Sequence, residues 1–308
     1  MLNFIVNPTS SSGNAAKVWK KVSKTLAKRQ ITYNAHLTTG PGSATDFARQ
    51  ICKSEDNPTI VVLGGDGTVN ETLTGIDDLT KVTFGYIPAG SANDLAKALS
   101  LTTDTDDALS SVLDPKDYIM LDVGRVKAGE DERSFAVSCG IGYDASICHE
   151  ALKSNIKDTL NKFHLGSLTY VIIALKQLIR APRLSCTITL DDGETLKFTK
   201  YLFISVMNTC FEGGGLKFCP DAKYDDGILD ICCAHNLMKL KVLRILPTAY
   251  KGEHTGFKGI ELYRAKKVVV TSSAPAPVHA DGESNGIHSE MVVTLNPGQL
   301  KMIYSPAK

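Results

Sequence analysis

The stretch TIVVLGGDGTVNETL, residues 59–73, decides the fold class of this chain. Its first five residues are apolar or β-branched, which is typical of a buried strand. Two glycines, Asp66 and a third glycine then form a turn, and the residues through Leu73 predict a helix. Strand, glycine turn and helix in this order form the unit of a parallel α/β sheet, and such sheets bind ligands beyond the carboxyl ends of their strands.

The same order recurs on both sides of this stretch. Further strands and helices are predicted, in chain order, at LNFIV, KVWKKVSKTLAKR, TYNAHLT, SATDFARQIC, VTFGYIP and SANDLAKAL. After about Asp122, strand-like segments dominate, interrupted by two predicted helices at residues 160–180 and 237–250. We therefore predict an α/β domain over residues 1–125, a β-rich domain over residues 126–296, and a tail, residues 297–308, that returns to the first domain.

The composition indicates a soluble globular protein rather than a general nucleic-acid binder. The 308 residues are 43% hydrophobic and 22% charged with a net charge of +1, whereas nucleic-acid binders usually carry a strongly basic surface. The eight cysteines include no C-x-x-C pair, so we expect free thiols and a reducing compartment. No signal peptide and no apolar stretch of bilayer length is visible, so we expect a cytoplasmic protein.

The glycine turn suits a bound phosphate. Without Cβ atoms, backbone N–H groups can surround an anion, and a helix N-terminus adds partial positive charge. The turn is not a dinucleotide fingerprint, because Asn70 stands where the third glycine of G-x-G-x-x-G would be. Asp66 would repel a polyphosphate unless a cation lay between them, so we expect Asp66 to reach Mg²⁺ on a nucleoside triphosphate. A tight turn with no ligand is the alternative.

Two more polar turns follow other predicted strands. IPAGSANDLAKAL, residues 87–99, repeats the order of strand, glycine and small polar residues, and Asp94 lies in the first helical turn. NPTSSSG, residues 7–13, follows the first strand. A helix cap at Asn93 or Asp94 and an ordinary loop at residues 7–13 are the alternatives. Three such turns would meet at one edge of a parallel sheet.

Six motifs in order carry a resemblance that covers essentially the whole chain. They are NPTSSSG, GGDGTVNE, PAGSANDLA, LDVG, GGGLKFCPDAKYDDGILDI and DGE. This series resembles the diacylglycerol kinase catalytic-domain family, and its soluble bacterial lipid kinases in particular, while GGDGT alone is shared with NAD kinases and more loosely with phosphofructokinases. The resemblance implies an α/β N-terminal domain with a parallel sheet, a β-sandwich C-terminal domain, and ATP in the cleft between them.

The resemblance also implies roles for individual residues. Asp66 would act on catalytic Mg²⁺ through water, Asp94 and Asp122 would complete the acidic network, and Glu283 would be the general base. An exposed turn acid is the alternative for Glu283, and His279 is interpreted as a strand-end residue. The residues implied to line the ATP site are Asn7, Thr38, Gly64, Gly65, Asp66, Gly67, Thr68, Val69, Asn70 and Ser91.

The segment PDAKYDDGILD, residues 220–230, resembles the structural metal loop of the family. Asp226 would supply a side-chain oxygen, and Lys223 and Ile228 would supply carbonyl oxygens, a mixed set that hard cations accept. The residues do not decide between Mg²⁺ and Ca²⁺. A hairpin turn at Asp226 and Gly227 without a metal is the alternative.

These patterns predict an ATP- and Mg²⁺-dependent kinase that phosphorylates a lipid hydroxyl, with diacylglycerol as the default acceptor. An NAD kinase-like small-molecule kinase and a non-catalytic nucleotide-binding regulator are the alternatives. No nucleic-acid partner is expected, and a homodimer stays open. Residues 237–250 place Lys239, Lys241 and Arg244 among leucines, so this helix either touches a membrane surface transiently or packs on its own sheet.

Overall fold

The computed structural model describes residues 1–153, 166–191, 193–296 and 298–307. Six strands form the first sheet: β1 Leu2–Val6, β2 Tyr33–Leu37, β3 Thr59–Gly64, β4 Thr83–Pro88, β5 Asp117–Leu121 and β15 Leu300–Tyr304. Their order is β2-β1-β3-β4-β15-β5, and β1 to β4 pair in parallel. The last strand, β15, inserts between β4 and β5, so the chain re-enters the first sheet after the second domain.

Helices cover both faces of this sheet, which explains why β3 is apolar without alternation. Ile60 and Val62 face one buried cluster, and Val61 and Leu63 face the other, because successive side chains of a strand point to opposite faces. The helices of this domain are α1 Asn14–Lys28, α2 Ser43–Ser54, α3 Asp66–Thr74, α4 Asp94–Ala98 and α5 Thr105–Leu113. The first cluster includes residues of α2 and α3, and the second includes residues of α1 and α5.

The second domain is β-rich, as predicted. Its strands are β6 Gly124–Ala128, β7 Asp131–Phe135, β8 Ser138–Gly142, β9 Leu184–Leu190, β10 Glu194–Met207, β11 Leu229–His235, β12 Ile260–Ala265, β13 Lys267–Ala280 and β14 Glu283–Leu295. Their pairing is antiparallel in the order β12-β11-β10-β8-β13-β14-β6-β7. The long strands β10 and β13 pair with β8 at one end and with β9 at the other, which folds the sheet around one apolar core.

Among the described residues of the second domain there are three helices: α6 Tyr143–Lys153, α7 Gly166–Arg180 and α8 Lys239–Ile245. The helix predicted at 160–180 is seen as α7, and residues 160–165 of that prediction lie outside the described residues. The single helix predicted at 237–250 is wrong in length, because α8 ends at Ile245 and a 3₁₀ segment, Leu246–Lys251, follows. Pro247 lacks the backbone N–H that a continued α-helix requires. Within the described part of the chain, no helix combines the length and the hydropathy of a bilayer crossing.

A buried polar junction joins the two domains. Asn70, on α3, is fully buried, and its Nδ2 donates to the Ser134 carbonyl at 2.7 Å and to Asp281 Oδ2 at 3.2 Å. Its Oδ1 accepts from the guanidinium of Arg133 at 3.1 Å. Asp281, in the turn between β13 and β14, also accepts N–H bonds from residues 136–138 at 2.8 to 3.0 Å. The junction therefore fixes the β13–β14 turn against α3.

The junction predicts a large effect for Asn70→Ala. The substitution leaves the Ser134 carbonyl and Arg133 without their buried partner, and we expect the free energy of unfolding to fall by about 2 kcal/mol. Chemical denaturation monitored by circular dichroism measures the loss. Asn14→Ala, at an exposed position on α1, is the matched control and should change stability by less than about 0.5 kcal/mol. Equal losses in the two variants would contradict the junction.

Candidate active site

Two glycine turns meet backbone to backbone at the carboxyl edge of the first sheet. A Cβ placed on Gly90, after β4, would lie 2.5 Å from the Cα of Gly65, after β3. A Cβ placed on Gly65 would lie 3.0 Å from the Cα of Gly90. The N–H of Ala89 donates to the carbonyl of Gly64 at 2.7 Å and continues the strand pairing up to this contact. Glycine is required at both positions because any side chain would separate the turns.

Asp66 links the two turns through its carboxylate. It is the first residue of α3, and its oxygens accept the backbone N–H groups of Asp94 at 3.0 Å and Leu95 at 3.2 Å. Burial, followed by the charge of Asp94, raises the pKa of Asp66 to about 6. A divalent cation between Asp66 and Asp94 would offset this repulsion at Asp66, and each oxygen of Asp66 keeps a further lone pair for a water ligand. The donor set therefore fits the implied catalytic Mg²⁺.

Asp94 connects this edge to the second domain. Its carboxylate oxygens accept the backbone N–H of Gly214 at 2.9 and 3.1 Å. The ammonium nitrogen Nζ of Lys97 lies 3.4 Å from Asp94 Oδ1. Gly213, Gly214 and Gly215 have φ angles of 58°, 85° and 122°, which glycine adopts without strain. The sequence motif GGGLKF thus contributes a backbone donor, a role that sequence reasoning did not assign.

Glu283 reaches across the cleft to the glycine turn. It begins β14, and a Cβ on Gly67 would overlap its carboxylate oxygen Oε1.

Other residues predicted for the ATP site lie near the carboxyl ends of the strands. Asn7 Nδ2 donates to Thr68 Oγ1 at 3.1 Å, and Ser91 is exposed after β4. Thr38 follows β2, and its N–H donates to the Val6 carbonyl at 2.8 Å.

Three expected site residues take other positions in the structure. Val69 is buried in the first-domain core, because successive residues of α3 cannot all face the cleft. Asn70 lies in the junction between the domains, where its amide is fully engaged. Asp122 accepts the N–H of Gly227 at 2.7 Å and the amide of Gln299 at 2.9 Å, which places it with the 223–228 turn rather than with Asp66 and Asp94.

The 223–228 turn does not fit a structural cation in the way the resemblance implies. Asp226 Oδ1 accepts the Ile228 N–H at 3.2 Å, and Oδ2 pairs with the guanidinium of Arg264. The same guanidinium lies 3.2 Å from Asp230. Arg264 thereby supplies the positive charge that a metal would bring to Asp226, and the ligand roles of the Lys223 and Ile228 carbonyls stay a prediction.

Sequence reasoning missed a buried polar cluster behind the cleft. His279 Nε2 lies 3.3 Å from Asp144 Oδ2 and 3.5 Å from Glu212 Oε1. The Gly282 N–H points at His279 Nδ1, so Nε2 carries the ring proton and faces both carboxylates as a donor rather than as a metal ligand. Burial raises the pKa of Glu212 to about 7. His279 was interpreted as a strand-end residue, and no short-range pattern marks Asp144 or Glu212 as its partners.

Two family models match successive parts of this chain. The model of the diacylglycerol kinase catalytic domain matches residues 1–126, and that of the YegS C-terminal NAD kinase beta sandwich-like domain matches residues 138–304. The protein named "Putative lipid kinase YtlR" of Bacillus subtilis is 31% identical, over 92% of this chain and 93% of its own. A diacylglycerol kinase of Mycobacterium tuberculosis is 30% identical, over 91% of this chain and 87% of its own.

Solved structures show the same fold. A diacylglycerol kinase from Bacillus anthracis superimposes with a TM-score of 0.70 at 23% identity, over 99% of this chain and 97% of that one. An NAD kinase from Archaeoglobus fulgidus in complex with ATP superimposes with a TM-score of 0.54 at 12% identity, over 99% and 94% of the two chains. Both domain matches and the relatives at 30% identity or above establish that this chain belongs to the diacylglycerol kinase catalytic-domain family of lipid kinases.

Proposed function

We propose that this protein transfers the γ-phosphate of ATP, with Mg²⁺, to the hydroxyl group of a lipid, with diacylglycerol as the first acceptor to test. One observation carries the proposal. The glycine turn with Asp66 and the carboxylate of Glu283 come from different domains and meet at Gly67. A phosphate-binding turn opposite a carboxylate base is the arrangement that phosphoryl transfer to an alcohol requires.

The first domain would hold the triphosphate. The glycine turn after β3 would offer backbone N–H groups to phosphate oxygens at the start of α3, where glycine carries no Cβ to block the approach. Asp66 and Asp94 would hold Mg²⁺ through water, and the bound ion would offset the negative charge of the phosphates. The Gly214 N–H keeps Asp94 in place from the other domain. Positioning and charge neutralisation supply most of the acceleration in this chemistry.

Glu283 would accept the proton of the lipid hydroxyl as its oxygen attacks the γ-phosphorus. A carboxylate within hydrogen-bond reach of a weak alcohol nucleophile serves this purpose. Asp281 anchors the β13–β14 turn that precedes Glu283, so the backbone that carries this base is held in position. The ADP oxygen leaves as the new phosphate ester bond forms.

An acceptor comparison tests the proposal. The protein is incubated with γ-labelled ATP and Mg²⁺, and with diacylglycerol vesicles, a mixed lipid extract or NAD in separate reactions. We expect labelled phosphatidic acid from diacylglycerol, identified by mass. Label in NAD alone would favour the NAD kinase alternative. Magnesium-dependent ATP binding without any transfer would favour the non-catalytic regulator.

Asp66→Asn should abolish most of the activity. Asparagine keeps the size of the side chain and one acceptor oxygen, but it removes the charge that faces Mg²⁺. We expect kcat to fall by about 100-fold or more. The melting temperature should also fall, because the asparagine amide turns a donor toward one of the two backbone N–H groups that Asp66 accepts, so kcat is measured below the melting temperature of the variant. Asp46→Asn, on the exposed surface of α2, is the control and should leave kcat unchanged. A kcat for Asp66→Asn close to that of the wild type would contradict the metal role of Asp66.

Glu283→Gln should lower kcat by about 100-fold or more, because glutamine cannot accept a proton. The KM for ATP should stay within about twofold, since Glu283 acts on the lipid hydroxyl rather than on the nucleotide. Steady-state kinetics with a lipid acceptor separate the two constants. Glu290→Gln, at an exposed position on the same strand, is the matched control. A normal kcat for Glu283→Gln would remove Glu283 from the role of base.

A further inference from the structure

The C-terminal end of α7 and the start of α8 expose large apolar side chains side by side. Ile179 is 74% exposed, Met238 is 69% exposed and Leu240 is 81% exposed, and Leu243 is also exposed. Lys239 Nζ donates to the carbonyl of Ile179, which joins the two helix ends. We call Ile179, Met238, Leu240 and Leu243 the apolar patch. Exposed clusters of this kind mark interaction surfaces, whereas single exposed leucines need no explanation.

Packing of α8 on its own domain does not account for these side chains. Val242 and Ile245, on the opposite face of α8, are buried, and Val242 belongs to the core beneath the helix. That face already covers the sheet, and Leu240 and Leu243 still point away from it. On α7, exposed Ile172 and Leu175 continue the apolar stripe from Ile179 at helical spacing.

Cations surround the apolar patch. Arg180 and Arg183 follow Ile179, and Lys239, Lys241 and Arg244 lie on α8, while Lys200 lines the groove between them. The segments 178–183 and 236–245 contain no acidic residue. None of these six cations forms a salt bridge within the described residues of the chain. The surface therefore combines uncompensated positive charge with exposed apolar side chains.

We propose that the apolar patch and its cations dock this protein on an anionic lipid bilayer. Apolar side chains that enter the acyl boundary and cations that face anionic headgroups are the two parts of an interfacial membrane site. A second copy of the chain is a poorer occupant, because a two-fold contact would bring the same cations together. The proposal rests on the proposed function, since a kinase for a bilayer lipid must meet the bilayer.

The docking surface connects to the cleft through both helices. The Tyr143 hydroxyl donates to the Ala174 carbonyl on α7 at 2.9 Å, and the next residue, Asp144, belongs to the buried cluster with His279 and Glu212. After α8, the Ala249 carbonyl accepts the Lys217 N–H at 2.9 Å. Lys217 follows the glycine loop that holds Asp94. Both helices of the docking surface are therefore linked by hydrogen bonds to second-domain segments that adjoin the cleft residues.

Vesicle cosedimentation tests the docking surface. We use the full chain with vesicles of phosphatidylcholine alone and of equal parts phosphatidylcholine and phosphatidylglycerol. We expect binding to the anionic vesicles and little to the neutral ones, with affinity falling as salt increases. Leu240→Ser with Leu243→Ser, and separately Arg183→Glu with Arg244→Glu, should each lower the affinity by about tenfold or more. All four positions are exposed, so the variants should melt like the wild type.

The matched control is Lys17→Glu with Lys24→Glu, which makes the same charge change on the exposed basic face of α1. Equal loss of binding in this control, normal binding by both patch variants, or a concentration-dependent dimer that the patch variants abolish would overturn the proposal. Binding to an acidic protein but to no vesicle would overturn it as well.

Activity distinguishes the docking surface from the proposed function. Patch variants should keep wild-type activity on a short-chain, water-soluble diacylglycerol and lose it on vesicle-borne diacylglycerol. A wild type that binds anionic vesicles without phosphorylating either substrate would refute the proposed function and leave the docking surface intact. Patch variants that lose activity equally on both substrates would refute the docking role.

Discussion

The arrangement of the cleft depends on the carboxylate of Asp66 accepting the backbone N–H groups of Asp94 and Leu95. This interaction holds the glycine turn after β3 against the turn after β4, where Gly65 and Gly90 leave no room for a side chain. Asp66 ionises less readily in this arrangement, because burial and the charge of Asp94 raise the pKa of Asp66 to about 6. A perturbed carboxylate at the edge of a parallel sheet is typical of a functional site.

The second domain contributes residues to the cleft at the carboxyl edge of the first sheet. Gly214 donates to Asp94, Glu283 lies against Gly67, and the buried junction of Asn70 with Asp281 fixes the turn that carries Glu283. Because these contacts come from two distant parts of the second domain, the cleft has a fixed geometry only when both domains are folded together. The return of β15 into the first sheet ties the end of the chain to the same assembly.

Sequence patterns predicted the glycine turns and the order of strands and helices, because period and turn chemistry are local properties. They did not predict which way each residue of a motif faces. Val69 and Asn70 adjoin the glycine turn in sequence, but the helical rotation of α3 turns one into the core and the other into the domain junction. Sequence patterns also could not predict ion-pair partners that lie far apart in the chain. Examples are Arg264 beside Asp226, and His279 between Asp144 and Glu212.

The most direct test of the central claim is a crystal structure with Mg²⁺ and a non-hydrolysable ATP analogue. The account predicts that the phosphates contact backbone N–H groups of the turns at Gly65 and Gly90, with the ion between the phosphates and the carboxylates of Asp66 and Asp94. A nucleotide bound elsewhere, or one bound at these turns while Asp66 contacts only the α4 amides and no ion or water, would contradict it.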